Sequence, residues 1–391
     1  MPQRISINGR FLTQAITGVQ RYATELVKGL DGLLESGAID RRDFEFELLV
    51  PPRPAARPIP LKHITQRCVG RTRGHLWEQL ELPRFVSGGV LLCLSNAAPL
   101  ASLIGRTTTV VTVHDLSYRY YPQAYAASYR LFYRILTPLI MRLANHVITV
   151  SGVERASIVA TFPNVADRLT AIQNGNIEHP SWDAVCRRPP ESDSTASSLV
   201  LYVGALSQRK NLQGVLDAVR RVKARFGGVR LGIVGGSSAA FGLAGFTIPP
   251  EIKEQVEFFG QIDSLETLGN LYARSRCLIF PSFYESSGLP PIEAMSYGCP
   301  AVVSDIPALR ERCGDAALYC HPDNPDEIAD RILEFLTNDA TYEEFRRRGH
   351  EQAQQFSWSR CARETFAIIE GLSVSASREL AAPRAAEFDG A

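Results

Sequence analysis

Short apolar runs alternate with longer amphipathic stretches along the whole 391-residue chain. In the first half this pattern predicts strands over 5–7, 46–50, 90–95, 110–114, 146–151 and 169–173. In the second half it predicts them over 199–204, 230–234, 256–259, 277–280, 301–304 and 317–320. Runs such as Thr-Val-Val-Thr-Val (109–113) and Leu-Val-Leu-Tyr-Val (199–203) are continuous rather than alternating. Such runs suit parallel strands covered by helices on both faces. Strand–helix alternation repeated in two series predicts an α/β protein of two doubly wound, Rossmann-like domains. Ligands of such sheets bind beyond the carboxyl ends of the strands, so the residues that follow each strand are the first to inspect for chemistry.

Between the two series lies Cys-Arg-Arg-Pro-Pro-Glu-Ser-Asp-Ser-Thr-Ala-Ser-Ser (186–198), rich in Pro, Ser and charge and without hydrophobic periodicity. It reads as a linker between an N-terminal domain over 1–185 and a C-terminal domain over 199–355. A helix over 356–372 is expected to pack back toward the N-terminal domain. The tail 373–391 offers little to bury and is expected to be disordered.

Charge narrows the function classes. Lys and Arg number 42 against 41 Asp and Glu, a formal net charge of +1. That balance lacks the basic excess of a nucleic-acid binder, and no nucleic-acid partner is expected. Eight cysteines are scattered without a C-x-x-C spacing, so free thiols in a reducing compartment are expected rather than a zinc or redox site. The N-terminus Met-Pro-Gln-Arg-Ile-Ser-Ile-Asn-Gly lacks a signal-peptide core, and no apolar run is long enough to span a bilayer. A cytoplasmic location is expected, with peripheral contact at the inner face of the membrane left open.

Two strand-end motifs carry chemistry. After 199–203 comes Gly204-Ala-Leu-Ser-Gln-Arg209-Lys210-Asn211 and then a helical pattern. A glycine turn with two adjacent cations at a helix entrance suits a diphosphate, although a solvated basic pair would look the same in isolation. After 277–280 comes Tyr284-Glu285-Ser286-Ser287-Gly288-Leu289-Pro290-Pro291-Ile292-Glu293. Two prolines are tolerated in a first helical turn, so a helix is predicted to begin near Leu289. The backbone amides from Ser286 through Ser287 and Gly288 to Leu289 then line an anion-binding helix end. Glu285 and Glu293 beside such an end suit sugar and ribose hydroxyls, because a carboxylate accepts more than one donor. Helix-dipole compensation by Glu285 and a surface position for Glu293 are the plainer alternative.

The Glu285-x7-Glu293 stretch followed by Ala294-Met295, with Gly204-x4-Arg209-Lys210-Asn211 upstream, resembles the retaining glycosyltransferases of family four. These have the GT-B fold, two Rossmann-like domains facing each other across a cleft. Thr17-Gly18-Val19-Gln20-Arg21-Tyr22, His114-Asp115, Asn174-Gly175 and Phe356-Ser357-Trp358 match in family order, so the resemblance covers roughly residues 5 to 370. It implies that Arg209 and Lys210 bind the donor diphosphate, Glu285 the donor sugar and Glu293 the ribose. It implies further that His114 reaches toward the transferred sugar, and that Gly18 lies in a glycine loop near the donor phosphates. Ser286 and Ser287 stand where the family commonly has Gly-Phe, which leaves the donor sugar open.

No Asp-x-Asp motif is present, so no metal and no cofactor beyond the nucleotide diphosphate sugar are expected. The resemblance implies front-side displacement, with the donor phosphate taking the acceptor's proton. The resemblance also implies GDP-mannose as the donor, ahead of UDP-sugars, and a glycan or polyprenyl-diphosphate-linked oligosaccharide as the acceptor. The segment 125–143 places Leu131, Phe132, Ile135, Leu136, Leu139, Ile140 and Leu143 on one helical face. That face fits packing on the sheet or an interfacial helix at anionic lipid. Two other function classes stay open at this point. One is a catalytically silent nucleotide-sugar-binding module. The other is a nicotinamide-dependent oxidoreductase, against which the missing G-x-G-x-x-G fingerprint speaks.

Overall fold

The computed structural model describes residues 2–52, 58–86, 88–176, 180–186, 198–236 and 245–381, with side chains to Ser373. Most of the 186–198 segment read as a linker, and the end of the tail from 382 onward, lie outside the described residues.

Two all-parallel sheets carry the fold. The first joins β1 (Gln3–Asn8), β2 (Phe44–Val50), β3 (Thr65–Cys68), β4 (Val90–Cys93), β5 (Thr108–Thr112), β6 (His146–Thr149) and β7 (Leu169–Ala171) in the order β3-β2-β1-β4-β5-β6-β7. The second joins β8 (Leu199–Val203), β9 (Arg230–Val234), β10 (Val256–Gly260), β11 (Cys277–Phe280), β12 (Ala301–Ser304) and β13 (Ala317–Cys320) in the order β10-β9-β8-β11-β12-β13. Strand order reverses between β1 and β4 in one sheet and between β8 and β11 in the other. Those are the crevices where such sheets bind ligands.

The central strands β4, β8, β11 and β12 are buried along their whole length, which is why they read as unbroken apolar runs. Strand β3 escapes that reading. It is an edge strand of sequence Thr-Gln-Arg-Cys, exposed at every residue, and it is held by backbone pairing to β2 together with an Arg67–Glu47 ion pair. Five predicted strands also overshoot, because the strands end before Ser95, His114, Ser151, Gln173 and Gly204, where the chain turns toward helices.

Each sheet is covered on both faces by buried clusters of aliphatic and aromatic side chains. One face of the first sheet packs on the Gly18–Glu35 helix together with the last helix, through Trp358, Cys361, Ala362, Phe366 and Ile369. Contact is close: a Cβ on Gly29 would stand 2.9 Å from Ala362. The last helix runs Trp358–Ala381, continuing past Leu372 where the composition predicts disorder. The added stretch Ser-Val-Ser-Ala-Ser-Arg-Glu-Leu-Ala contains good helix formers and no Gly or Pro, so local propensity extends a helix anchored by its first turns. The described cysteines are free thiols, buried except for Cys68.

Candidate active site

The crevice of the second sheet assembles from two strand ends. After β8 the chain makes a short 3-10 turn over Gln208–Lys210, then enters the left-handed region at Asn211 (φ 57°). The Asn211 side chain accepts from Gly214 N–H at 3.1 Å and so caps the Leu212–Arg225 helix. Its amide also donates to the carbonyls of Pro281 and Pro322 at 3.1 and 2.7 Å, tying this turn to the loop after β11. Gly204 is not sterically required here, since an added Cβ meets only ordinary contacts at 3.5 Å and beyond. The glycine that the backbone does need is Gly235 after β9. Its φ is +151°, and a Cβ there would lie 1.9 Å from the Gly204 carbonyl.

Arg209, Lys210 and Glu285 meet in this crevice. Lys210 Nζ lies 2.5 Å from Glu285 Oε1, and Arg209 Nη1 lies 3.6 Å from Oε2 while donating to the Tyr284 carbonyl at 2.6 Å. Burial pushes the Lys210 ammonium down to about 8, against the pull of Glu285. Glu285 is held below the usual carboxylate range despite its burial, because both cations face it. One buried carboxylate and two cations leave a positive excess, an arrangement able to receive a dianion while the carboxylate turns to hydroxyl donors.

Gly288 (φ +76°) precedes the Leu289–Ser296 helix, which begins at the residue that the two prolines predict. Ser287 is buried and its hydroxyl accepts from Asn174 Nδ2 at 3.1 Å. Leu289 packs on the core of the first sheet. These two side chains therefore bridge the sheets, which leaves the backbone of the loop as its anion-facing part, and Ser286 is half-buried beside them. Glu293 sits on the second turn, 2% exposed. One oxygen pairs with Arg21 of the first sheet's helix at 2.8 Å, and the other accepts from the Tyr272 hydroxyl at 3.2 Å.

The first sheet supplies the opposite wall. His114 follows β5 and is 4% exposed. Its Nε2–H donates to the Leu94 carbonyl at 3.0 Å, its backbone N–H donates to Asn96 Oδ1 at 2.6 Å, and its ring meets the edge of Tyr22 at 4.7 Å. Burial lowers its basicity, so the imidazole is neutral near pH 7. The charge of the adjacent Asp115 is felt by both Arg209 and Lys210, so the loops after β5 and β8 face each other. Gly18 is not in a loop. It opens the Gly18–Glu35 helix, where Thr17 and Gln20 form a capping box, and an added Cβ would meet nothing within 4 Å.

Two groups that sequence reading passed over tie the walls together. Glu154, in the first turn of the Gly152–Thr161 helix, accepts from Leu116 N–H at 3.0 Å and from the Tyr284 hydroxyl at 2.7 Å. Burial and the nearby Asp115 push its carboxyl up to about 8. Arg312 is buried and donates to the Gln173 side chain and to the carbonyls of Asn174 and Gly175. Its guanidinium lies 3.8 Å over the Phe356 ring. The only hint in the sequence is that both are charged residues amid apolar helical patterns. Among the described residues no three His, Cys, Asp or Glu lie close enough to hold a metal ion.

Comparison with known proteins supplies the family. The profile described as Glycosyl transferases group 1 matches residues 188–354. O-antigen chain mannosyltransferase B of Escherichia coli is 31% identical over 264 residues, which are 66% of this chain and 68% of the relative. The chain belongs to the group 1 glycosyltransferases. A second relative, O-antigen chain mannosyltransferase RfbU of Salmonella typhimurium, is 29% identical over 244 residues, 60% of this chain and 65% of that protein. Among solved structures, sucrose-phosphate synthase from Thermosynechococcus elongatus superposes with a TM-score of 0.69 at 20% identity, over 95% of this chain and all (100%) of that one. Anabaena HepE in complex with UDP-glucose gives a TM-score of 0.68 at 18% identity, over 95% and 100%. These likenesses establish the GT-B fold.

Proposed function

We propose that this glycosyltransferase is a metal-independent, retaining mannosyltransferase of polysaccharide biosynthesis, using GDP-mannose and a glycan carried on a polyprenyl diphosphate. The observation that carries the reading is the buried Glu285 held between Arg209 and Lys210. Mannose and the polysaccharide context rest on the two O-antigen mannosyltransferase relatives.

The donor diphosphate takes over Arg209 and Lys210, and Glu285, released from Lys210, accepts the donor-sugar hydroxyls. Glu293 exchanges Arg21 for the ribose. The bond from the sugar's anomeric carbon to phosphate oxygen breaks as the acceptor oxygen bonds to the same face. The acceptor's proton passes to the departing phosphate oxygen. Arg209, Lys210 and the amides around Gly288 stabilise the charge that develops there. The neutral, buried His114 positions and screens the sugar without acting as a base. No step in this scheme calls on a metal, so treatment with EDTA is expected to leave the rate unchanged. An absolute requirement for Mg²⁺ or Mn²⁺ would overturn that part.

Work at a membrane surface is supported by exposed apolar side chains on one layer of the first sheet. Leu131 and Ile135 point outward from the Ala127–Leu143 helix while Leu136 and Ile140 face the core, and Leu76, Leu80 and Ile104 are exposed nearby in the fold. Among the described residues no helix is long and apolar enough to cross a membrane. A thermal-shift series with GDP-mannose, GDP-, UDP- and dTDP-sugars tests the donor, since the true donor stabilises by mass action. Stabilisation by a UDP-sugar and not by GDP-mannose would replace the proposed donor.

A further inference from the structure

The crevice of the first sheet, between β1 and β4, holds a second built cluster that the transfer scheme does not use. Glu78 is fully buried there. Its Oε1 accepts from Asn8 Nδ2 at 2.7 Å and pairs with Arg10 Nε at 3.0 Å, both residues standing at the end of β1. Its Oε2 accepts from His75 Nδ1 at 2.9 Å. Glu78 is aimed inward by a π-helical turn over Trp77–Glu81, in which Leu82 N–H reaches back to the Trp77 carbonyl. Such turns insert one residue at a local cost and recur at functional sites. With Nδ1 bound to Glu78, Nε2 is the ring nitrogen of His75 left for a ligand hydroxyl. Its side chain is 38% exposed.

A row of rings leads from this histidine to the donor crevice. His75 lies 4.3 Å from the Phe132 ring, Tyr133 lies 4.4 Å from Tyr129, and Tyr129 stacks on Tyr125 at 5.1 Å with 15° between planes. The Tyr125 hydroxyl is 2.5 Å from Ser117 Oγ, which donates to Asp115 at 2.5 Å. Tyr125, Tyr129 and Phe132 are half-buried at the edge of the first sheet's core. Flat apolar faces beside a fixed hydrogen-bond acceptor suit sugar rings, which present C–H faces and hydroxyl edges.

We infer that His75, fixed by Glu78, and the ring row Tyr125–Tyr129–Phe132 form the binding site for the acceptor glycan, with His75 Nε2 accepting a hydroxyl one or more sugar units from the reacting one. The inference rests on the glycosyltransferase reading of the donor crevice and names where its second substrate lies.

The test uses the intact chain and two readouts. Transfer from the donor found by thermal shift is scored on a glycan array, and donor hydrolysis is followed without acceptor. His75→Phe keeps the stack on Phe132 and removes the nitrogen, and Tyr129→Ala removes one ring. Each is expected to raise KM for the best glycan about tenfold, the size of one lost hydrogen bond or stacking contact, with donor hydrolysis unchanged. Unchanged acceptor KM in both variants overturns the site. Donor hydrolysis without transfer to any glycan on the array overturns the glycan as its ligand. Absence of donor hydrolysis in the unaltered protein instead sinks the donor reading on which the inference stands.

Discussion

The two crevices are built alike and charged differently. Each lies where its sheet reverses strand order, and each buries one glutamate against an arginine: Glu285 with Arg209, Glu78 with Arg10. The second sheet adds Lys210 at 2.5 Å, the first adds His75 at 2.9 Å. One crevice sets two cations against its glutamate, the other a single guanidinium and an imidazole. A site with surplus buried charge needs an anion to complete it, whereas a balanced one offers a polar edge to a neutral ligand. The architecture is shared, and the third residue assigns the substrate.

The sharpest break in this comparison is Glu285→Gln. Losing two charge-assisted hydrogen bonds at about 2 kcal/mol each is expected to lower kcat on the order of a thousandfold. Affinity for the bare nucleotide diphosphate should not fall, because the two cations remain and the sugar is absent. Single-turnover rates, nucleotide titration and melting on one preparation decide the matter. A normal rate with a lowered melting point assigns Glu285 to the scaffold.

Next in size are Arg209→Ala and Lys210→Ala. Each removes a preorganised cation, and about a hundredfold loss in rate is expected with weaker nucleotide diphosphate binding. Undiminished affinity and rate in both variants would leave the positive excess without a purpose.

Acidity and salt separate the crevices by smaller factors. Lys210 titrates near 8 in the ligand-free protein and is held protonated by a bound diphosphate, so binding takes up a proton above that pH. Nucleotide diphosphate affinity should fall up to tenfold per pH unit above about pH 8 and weaken with ionic strength. The acceptor KM should ignore salt. Calorimetry in buffers of different ionisation enthalpy measures the proton; a flat profile from pH 7 to 9 would contradict the role of Lys210.

The smallest effect concerns Glu154, which touches both walls. Its folded-state carboxyl keeps a proton up to about pH 8 while the unfolded one loses it near the ordinary 4.5. Its contribution to stability is therefore full below about pH 4.5 and is lost as pH rises to 8. Glu154→Gln removes this titration, so the variant should gain a few degrees in Tm relative to the parent between pH 5 and 8. A constant Tm difference over that range would show that Glu154 titrates normally.

Much of the donor crevice was legible because its chemistry is local. Arg209 and Lys210 are adjacent, Glu285 and Glu293 flank one helix start, and unbroken apolar runs announce the strands before them. The acceptor-side cluster is non-local. Glu78 reads as an ordinary polar residue in Trp-Glu-Gln-Leu-Glu, and its burial follows only from Asn8 and Arg10, far back along the chain at the end of β1. A π-helical turn has no hydrophobic period to betray it, and β3 has no apolar face at all. Gly18 misled in the opposite direction. The resemblance implies a loop at Gly18, but Thr17 and Gln20 supply the reciprocal bonds of a helix start.

Gly175 and Trp358 give the two halves a mechanical relation. The chain passes from the first sheet to the second after β7 and returns between Phe356 and Trp358. These passages touch: a Cβ on Gly175 would stand 2.3 Å from the Trp358 backbone nitrogen. A body attached to another by two cords that meet at one point swings about that point most easily. A rotation there would move Glu293 against Arg21 and Tyr284 against Glu154. Only glycine lets the two passages lie this close, so Gly175→Ala is expected to part them at Trp358.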